Sequence, residues 1–137
     1  SNYLNTFCSN HPNYSYLLRP HPNHRRTSEP LDNELSCTDM PIETCLHMGD
    51  VFIMETSTVG IQVALLNKPV ITLNADNYPP YEQLGLAVDV SSIPDLSGAI
   101  LAAKKPDLSK LGYPQLGTAT DSVTEIILRK CLPKELV

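Results

Sequence analysis

The segment GDVFIMETSTVGIQVALLNKPVITLN, residues 49–74, places two apolar runs of strand length on either side of one helical stretch. The run VFIM, residues 51–54, has no polar alternation, which is typical of a strand covered on both faces. From residue 57 or 58 to 66 the apolar residues follow helical spacing, and Asn67 is expected to end that helix in a left-handed conformation. PVITLN, residues 69–74, then predicts a second buried strand. This order predicts two parallel strands joined by a right-handed crossover.

The same alternation continues along the rest of the chain. Apolar spacing predicts helices at residues 3–9, 41–49, 93–103 and 121–131, and strands at residues 14–19, 35–39 and 85–90. Residues 20–34 contain three prolines and are expected to form an exposed loop. We therefore predict one domain, residues 1–137, of the α/β class, with a three-layer, doubly wound parallel sheet.

The charge and hydropathy of the chain argue against some classes of binding partner. The chain carries 10 Lys and Arg against 15 Asp and Glu, a formal net charge of −5, which argues against a general attraction to nucleic acid or to anionic membranes. No apolar stretch approaches the ~20 residues of a membrane-spanning helix, and no signal peptide opens the chain. We expect a cytoplasmic protein without a membrane span.

The four cysteines lie at scattered positions: Cys8, Cys37, Cys45 and Cys131. They lack the Cys-x-x-Cys and paired-His spacings of structural zinc sites. We expect reduced, mostly buried thiols rather than disulfides, and no bound metal.

Small hydroxyl residues gather at the joint between the strand at 51–54 and the helix after it. In parallel α/β sheets, ligands bind beyond the carboxyl ends of the strands, where loops lead into helices. Backbone N–H groups and the helix dipole favour an anion there, and Ser57 and Thr58 add hydroxyl donors. Thr56 or Ser57 can equally serve only as a helix cap, worth about 1 kcal/mol. The residues alone leave a phosphate site and a cap both open.

Three other segments follow predicted strands and hold candidate site residues. Arg19 and His21, in RPHPN, can face a diphosphate or a reacting hydroxyl, although a solvated loop is the alternative. The Asp39–Met40 pair stands where a nucleotide base can rest. Tyr78 or Tyr81 can stack on a ring or bond a sugar, or can simply pack the loop against the domain.

Taken in order, these motifs resemble the C-terminal Rossmann half of nucleotide-sugar enzymes of the two-domain GT-B type. That group includes UDP-N-acetylglucosamine 2-epimerase and bacterial glycosyltransferases of capsule or cell-wall synthesis. The residues that match its motifs are Arg19, His21 and Pro22; Gly49 and Asp50 with the strand at 51–54; Ser57, Thr58, Gly60, Gln62, Lys68, Pro69 and Ile71; and the closing segment GTATDSVTEIIL.

The resemblance implies a Rossmann-like domain that binds a nucleotide-diphosphate sugar, UDP- or CDP-linked, without a further cofactor. The residues assigned to that ligand are Arg19, Asp39, Met40, Thr56, Ser57, Thr58, Val59, Gly60, Gln62 and Tyr78, with His21 as the catalytic candidate. Gln62 stands where the family often has an acid that binds the ribose hydroxyls. An amide binds a diol more weakly, since charge-assisted hydrogen bonds are roughly twice as strong as neutral ones.

The resemblance also implies that the first strand and a whole N-terminal domain are missing. Catalysis in this architecture takes place between two domains, so we expect a fragment of a glycosyltransferase for surface or capsular polysaccharide, not active alone. Its partners would be the nucleotide-sugar and the N-terminal domain of the same enzyme, and a homodimer is left open. Two other functions stay open: a fragment of a 2-epimerase-like enzyme, and a non-catalytic Rossmann-like interaction module whose hydroxyl cluster is only a cap.

Overall fold

The computed structural model describes residues 2–20, 29–35, 39–55, 57–73 and 80–111. This part of the chain forms four α-helices: α1 (Asn2–Asn10), α2 (Ile42–Met48), α3 (Val59–Leu65) and α4 (Leu96–Ala102). Its strands are β1 (Tyr16–Leu17), β2 (Glu34–Leu35), β3 (Phe52–Met54), β4 (Val70–Leu73) and β5 (Val88–Val90). Short 3₁₀ turns lie at Ile93–Asp95 and Leu108–Leu111.

The strands form two sheets, and every pairing in them is parallel. β3, β4 and β5 pair in that order, with Ile53 opposite Ile71 and Ile71 opposite Val88. β1 pairs with β2 in a separate two-stranded sheet. Helices alternating with parallel strands confirm the predicted α/β class.

Alternate side chains of β3 and β4 divide between two core clusters, as strand geometry requires. Ile53 and Ile71 belong to a cluster with residues of α1 and α4, including Phe7 and Ile100. The neighbouring strand residues belong to a second cluster, with Leu46 of α2 and Val63 of α3; these strand residues are Phe52, Met54 and Val70. Helices therefore pack on both faces of the three-stranded sheet.

Two residues end helices as the sequence predicts, by different physical means. Asn67 follows α3 with φ 58°, the left-handed conformation expected of it. Gly49 ends α2 in an extended conformation, with φ −73° and ψ 143°. A Cβ atom on Gly49 would lie 2.5 Å from Phe52 Cζ, so this glycine serves close packing rather than a left-handed turn.

Several predicted strands differ from the observed ones. The strand predicted at 14–19 is only Tyr16–Leu17, because Tyr14 is held in a turn by a hydrogen bond from its N–H to the His11 carbonyl oxygen (2.9 Å). β2 begins at Glu34, inside the predicted loop 20–34. β3 is half-buried rather than fully buried. The helix predicted at 121–131 lies outside the described residues.

Two of the four thiols lie within the described part of the chain. Cys8 and Cys45 are free and buried, which confirms the prediction for these two. Burial raises the pKa of the Cys8 thiol above its ordinary value. No helix among the described residues is long and apolar enough to cross a bilayer.

Candidate functional site

Ser57 and Thr58 lie where β3 leads into α3, as the sequence predicts. The N–H of Val59 donates to Ser57 Oγ (3.3 Å), and the N–H of Gly60 donates to the Ser57 carbonyl oxygen (3.3 Å). The N–H of Ile61 donates to the Thr58 carbonyl oxygen (3.2 Å). Ser57 Oγ accepts one hydrogen bond, and its own hydroxyl proton can still be donated to an anion.

The capping alternative is met at Ser57, whose Oγ accepts a hydrogen bond from the amide of Val59, and not at Thr58. Thr58 occupies the N-cap position of α3 with helical backbone angles, φ −68° and ψ −16°, and its exposed side chain makes no capping hydrogen bond. N-cap residues are typically extended and bond an amide two or three residues ahead. Here Ser57 bonds the amide of Val59, which forms a local Ser/Thr turn just before the helix.

Tyr81, which follows β4 in the chain, packs against α3 and closes the joint. Its side chain is 2 % exposed, and its hydroxyl donates a hydrogen bond to the Ser57 carbonyl oxygen. Burial raises the pKa of the Tyr81 hydroxyl, although a backbone hydrogen bond with Ile61 acts in the opposite direction. Of the two predicted roles for the tyrosines, packing is therefore the one that Tyr81 has in the structure.

Gly60 is the point at which α3 meets Tyr81. A Cβ atom at this position would lie 2.9 Å from Met54 Sδ and 2.9 Å from Tyr81 Cε2, closer than real Cβ atoms come. The family resemblance assigns Gly60 to the ligand, whereas the structure shows that its missing side chain admits the Tyr81 ring.

Arg19 and the Asp39–Met40 pair, predicted as parts of one site, do lie together. Arg19 Nη1 donates to the Met40 carbonyl oxygen and lies 3.8 Å from Cys45 Sγ on α2. Asp39 adopts a left-handed conformation, φ 62°, which Asp tolerates better than most residues. The guanidinium of Arg19 is thus fixed against the entry to α2.

Lys68, which the sequence ties only to the family resemblance, has a structural role. Its ammonium donates to the carbonyl oxygens of Leu46 (2.6 Å) and His47 (3.0 Å), at the end of α2. It also lies 5.9 Å from the centre of the Phe52 ring. The sequence around Lys68 gives no signal for its two hydrogen bonds, because the carbonyl groups that accept them lie about twenty residues earlier in the chain.

A polar pair that the sequence does not reveal, with Thr72 buried and Asp89 half-buried, joins β4 to β5. Thr72 is 1 % exposed, and its hydroxyl donates to Asp89 Oδ1 at 2.6 Å. The two residues are direct partners in the parallel register. The Asp89 carboxylate thus has a buried partner on the neighbouring strand.

The remaining predicted residues are only partly placed. Gln62 is exposed on α3, one turn after Thr58. His21, Thr56 and Tyr78 lie outside the described residues. Among the hydrogen bonds of the described residues, none links the Arg19–Met40 group to the Ser57–Tyr81 group.

Comparison with known proteins adds no relative. No protein-family model matches this sequence, and neither the curated proteins nor the solved structures give a match. Within the described ranges, no three His, Cys, Asp or Glu side chains are grouped so that they can hold a metal ion.

Proposed function

We propose that this chain binds a nucleotide-diphosphate sugar at the joint between β3 and α3, as the nucleotide-binding half of a bacterial surface-polysaccharide glycosyltransferase. The observation that carries the proposal is the joint itself. A strand of a parallel sheet runs into a helix through two adjacent hydroxyl residues, and the exposed one, Thr58, makes no capping bond. In such sheets this is the edge at which ligands bind. A Rossmann-like, doubly wound arrangement lacking its first strand is part of the proposal.

The hydroxyls of Ser57 and Thr58 would donate to the phosphate oxygens. Hydrogen bonds to a charged oxygen are stronger than those to a neutral one, so two hydroxyl donors favour a diphosphate over an uncharged ligand. Donors that are already in position also stabilise the charge that grows on a leaving diphosphate as the bond to the sugar breaks. His21 is the proposed catalytic residue.

Arg19 would supply positive charge to the same ligand. A guanidinium has five N–H donors, and the contacts with Met40 and Cys45 both come from Nη1. These contacts order a long, flexible side chain before any ligand arrives, which lowers the entropy cost of binding.

A non-catalytic interaction module is the second candidate, and Tyr81 is the observation that favours it. The ring of Tyr81 explains why residue 60 is glycine, because a larger residue there would clash with it. The hydroxyl of Tyr81 bonds the Ser57 carbonyl oxygen, so this group has a partner without a ligand. In this alternative, the small residues at the joint serve packing alone, and no ligand is needed to explain them.

Thermal unfolding with UDP, CDP and GDP at millimolar concentration separates the two candidates. A ligand present at 100 times its dissociation constant stabilises the folded state by about 2.7 kcal/mol. We expect at least one of the three nucleotides to raise the melting temperature. No shift with any of them would favour the interaction module.

Replacing both hydroxyls, Ser57→Ala with Thr58→Ala, tests the site itself. We expect this variant to keep its fold by circular dichroism and to lose at least about 90 % of its nucleotide affinity, because two hydrogen bonds to a charged ligand are removed. Thr6→Ala is the control, since it removes an exposed helical hydroxyl elsewhere. Unchanged binding in the double variant would place the ligand away from this joint.

A further inference from the structure

The side chain of Tyr81 ties the loop after β4 to the turn after β3. Its ring is 2 % exposed and packs in one core cluster with Ala64 of α3 and with Leu86. Its hydroxyl donates to the Ser57 carbonyl oxygen, in the turn at residues 57–60. The packing of the ring therefore fixes the position from which the hydroxyl holds the turn.

The hydrogen bonds made within the turn are long. The N–H of Gly60 lies 3.3 Å from the Ser57 carbonyl oxygen, and the N–H of Val59 lies 3.3 Å from Ser57 Oγ. Both distances exceed the usual range of about 2.7–3.2 Å for an N–H···O bond, so these two bonds are weak. The Tyr81 hydroxyl gives the Ser57 carbonyl oxygen a second donor from outside the turn. The shape of the turn therefore depends on Tyr81.

The direction of the Ser57 carbonyl also sets the direction of the next amide. A trans peptide is planar, and its C=O and N–H groups point in opposite directions. Because the Ser57 carbonyl points at the buried Tyr81, the N–H of Thr58 points away from Tyr81. Thr58 itself is exposed. Tyr81 thereby holds the Thr58 amide on the side of the turn that faces away from the core.

We propose that Tyr81 is a positioning residue of the nucleotide site, which orients the peptide between Ser57 and Thr58 so that its N–H and the two hydroxyls meet a phosphate in one fixed arrangement. This inference rests on the proposed function. Donors that are ordered before the ligand arrives lose less entropy on binding, which raises the affinity. Tyr81 is too deeply buried to contact the ligand, so it acts through Ser57.

Tyr81→Phe tests the inference, because it keeps the ring and removes the hydroxyl. Calorimetric titration uses whichever of UDP, CDP and GDP stabilises the wild-type protein most. We expect the dissociation constant to rise about three- to tenfold, the usual effect of losing one neutral hydrogen bond, while circular dichroism shows an unchanged fold. Tyr14→Phe is the control, since Tyr14 is 38 % exposed in the turn after α1. Its dissociation constant should stay within about twofold of the wild-type value.

Leu86→Val separates positioning from packing. Leu86 is 3 % exposed in the same core cluster as Tyr81, and the change weakens that cluster while the tyrosine hydroxyl remains. We expect a lower midpoint of urea unfolding and an unchanged dissociation constant. An equal loss of nucleotide affinity in Leu86→Val and Tyr81→Phe would overturn the inference, because the packing alone would then support the site.

NMR relaxation of the free protein tests the turn without a ligand. The order parameters of the Thr58 and Gly60 amides should be about 0.85, the value of rigid backbone, and should be lower in the Tyr81→Phe variant. Values below about 0.6 in the wild-type protein would overturn the inference, because the turn would then be mobile although Tyr81 is present.

The titrations distinguish a failure of this inference from a failure of the proposed function. If the wild-type protein binds none of the three nucleotides, the proposed function is wrong, and the positioning role of Tyr81 is wrong with it. If the wild-type protein binds a nucleotide and the Tyr81→Phe variant binds it equally well, only the positioning role is overturned.

Discussion

At the scale of single residues, Gly60 decides how closely α3 and Tyr81 approach. Its missing side chain lets the tyrosine ring reach the helix, and the tyrosine hydroxyl then bonds the carbonyl oxygen of Ser57. The conformation of the proposed phosphate-binding turn is therefore held by a residue 24 positions further along the chain. Tyr81 supports the turn whether or not a ligand binds there.

Gly60→Ala should reduce the free energy of unfolding by about 1–3 kcal/mol, the usual cost of overpacking a closely packed site. Its Cβ would meet Met54 and the Tyr81 ring at 2.9 Å. Gly98→Ala is the matched control, because Gly98 lies in α4 with nothing within 4 Å of an added Cβ. That change should stabilise the protein by about 0.5–1 kcal/mol. Urea denaturation measures both, and a Gly60→Ala variant as stable as Gly98→Ala would contradict the packing described.

At the scale of secondary-structure elements, α2 is fastened at both ends by side chains from outside it. Arg19 bonds the Met40 carbonyl oxygen before the helix, and Lys68 bonds the carbonyl oxygens of Leu46 and His47 at its end. A helix of seven residues is too short to be stable by itself in water. These contacts and the burial of Cys45 and Leu46 hold it in place.

Lys68→Met should lower the free energy of unfolding by about 1 kcal/mol, because a cation at a helix C-terminus and its hydrogen bonds are lost while the apolar stem is kept. Lys104→Met is the comparison, since Lys104 is exposed after α4. It should change stability by less than about 0.5 kcal/mol. Chemical denaturation of the two variants checks this, and equal effects would mean that Lys68 does not hold α2.

At the scale of the whole molecule, local pattern predicted the elements better than their assembly. The segment 49–74 contains its own evidence for β3, α3 and β4, including the left-handed Asn67. The separate pairing of β1 with β2 could not be predicted, because these strands have two residues each and their apolar pattern is weak. The bonds of Lys68 and Tyr81 join positions about twenty residues or more apart, and nothing in local spacing indicates them.

Cys8 offers a probe of the stability of the whole fold. Burial raises the pKa of its thiol, and the thiolate is the form that reacts with alkylating agents. In the folded protein at pH 8 we expect Cys8 to react with iodoacetamide at least about a hundredfold more slowly than in the unfolded chain. Peptide-level mass spectrometry measures this rate, and it should increase with urea as global unfolding does.

The raised pKa of Cys8 also makes the stability of the fold depend on pH. The unfolded chain ionises Cys8 near its ordinary pKa of 9.0, below the pKa in the folded state. The contribution of Cys8 to stability is therefore complete below pH 9 and is lost as the pH rises through the folded-state pKa. Rapid labelling of Cys8 in the native state at pH 8 would show that α1 opens locally.

The contact between Gly60 and Tyr81 also constrains how this sequence can evolve. A side chain larger than hydrogen at position 60 meets two groups, Met54 Sδ and the Tyr81 ring, so it fits without strain only when both neighbours change as well. Substitutions at positions 54, 60 and 81 are therefore expected to occur together in sequences that keep this packing.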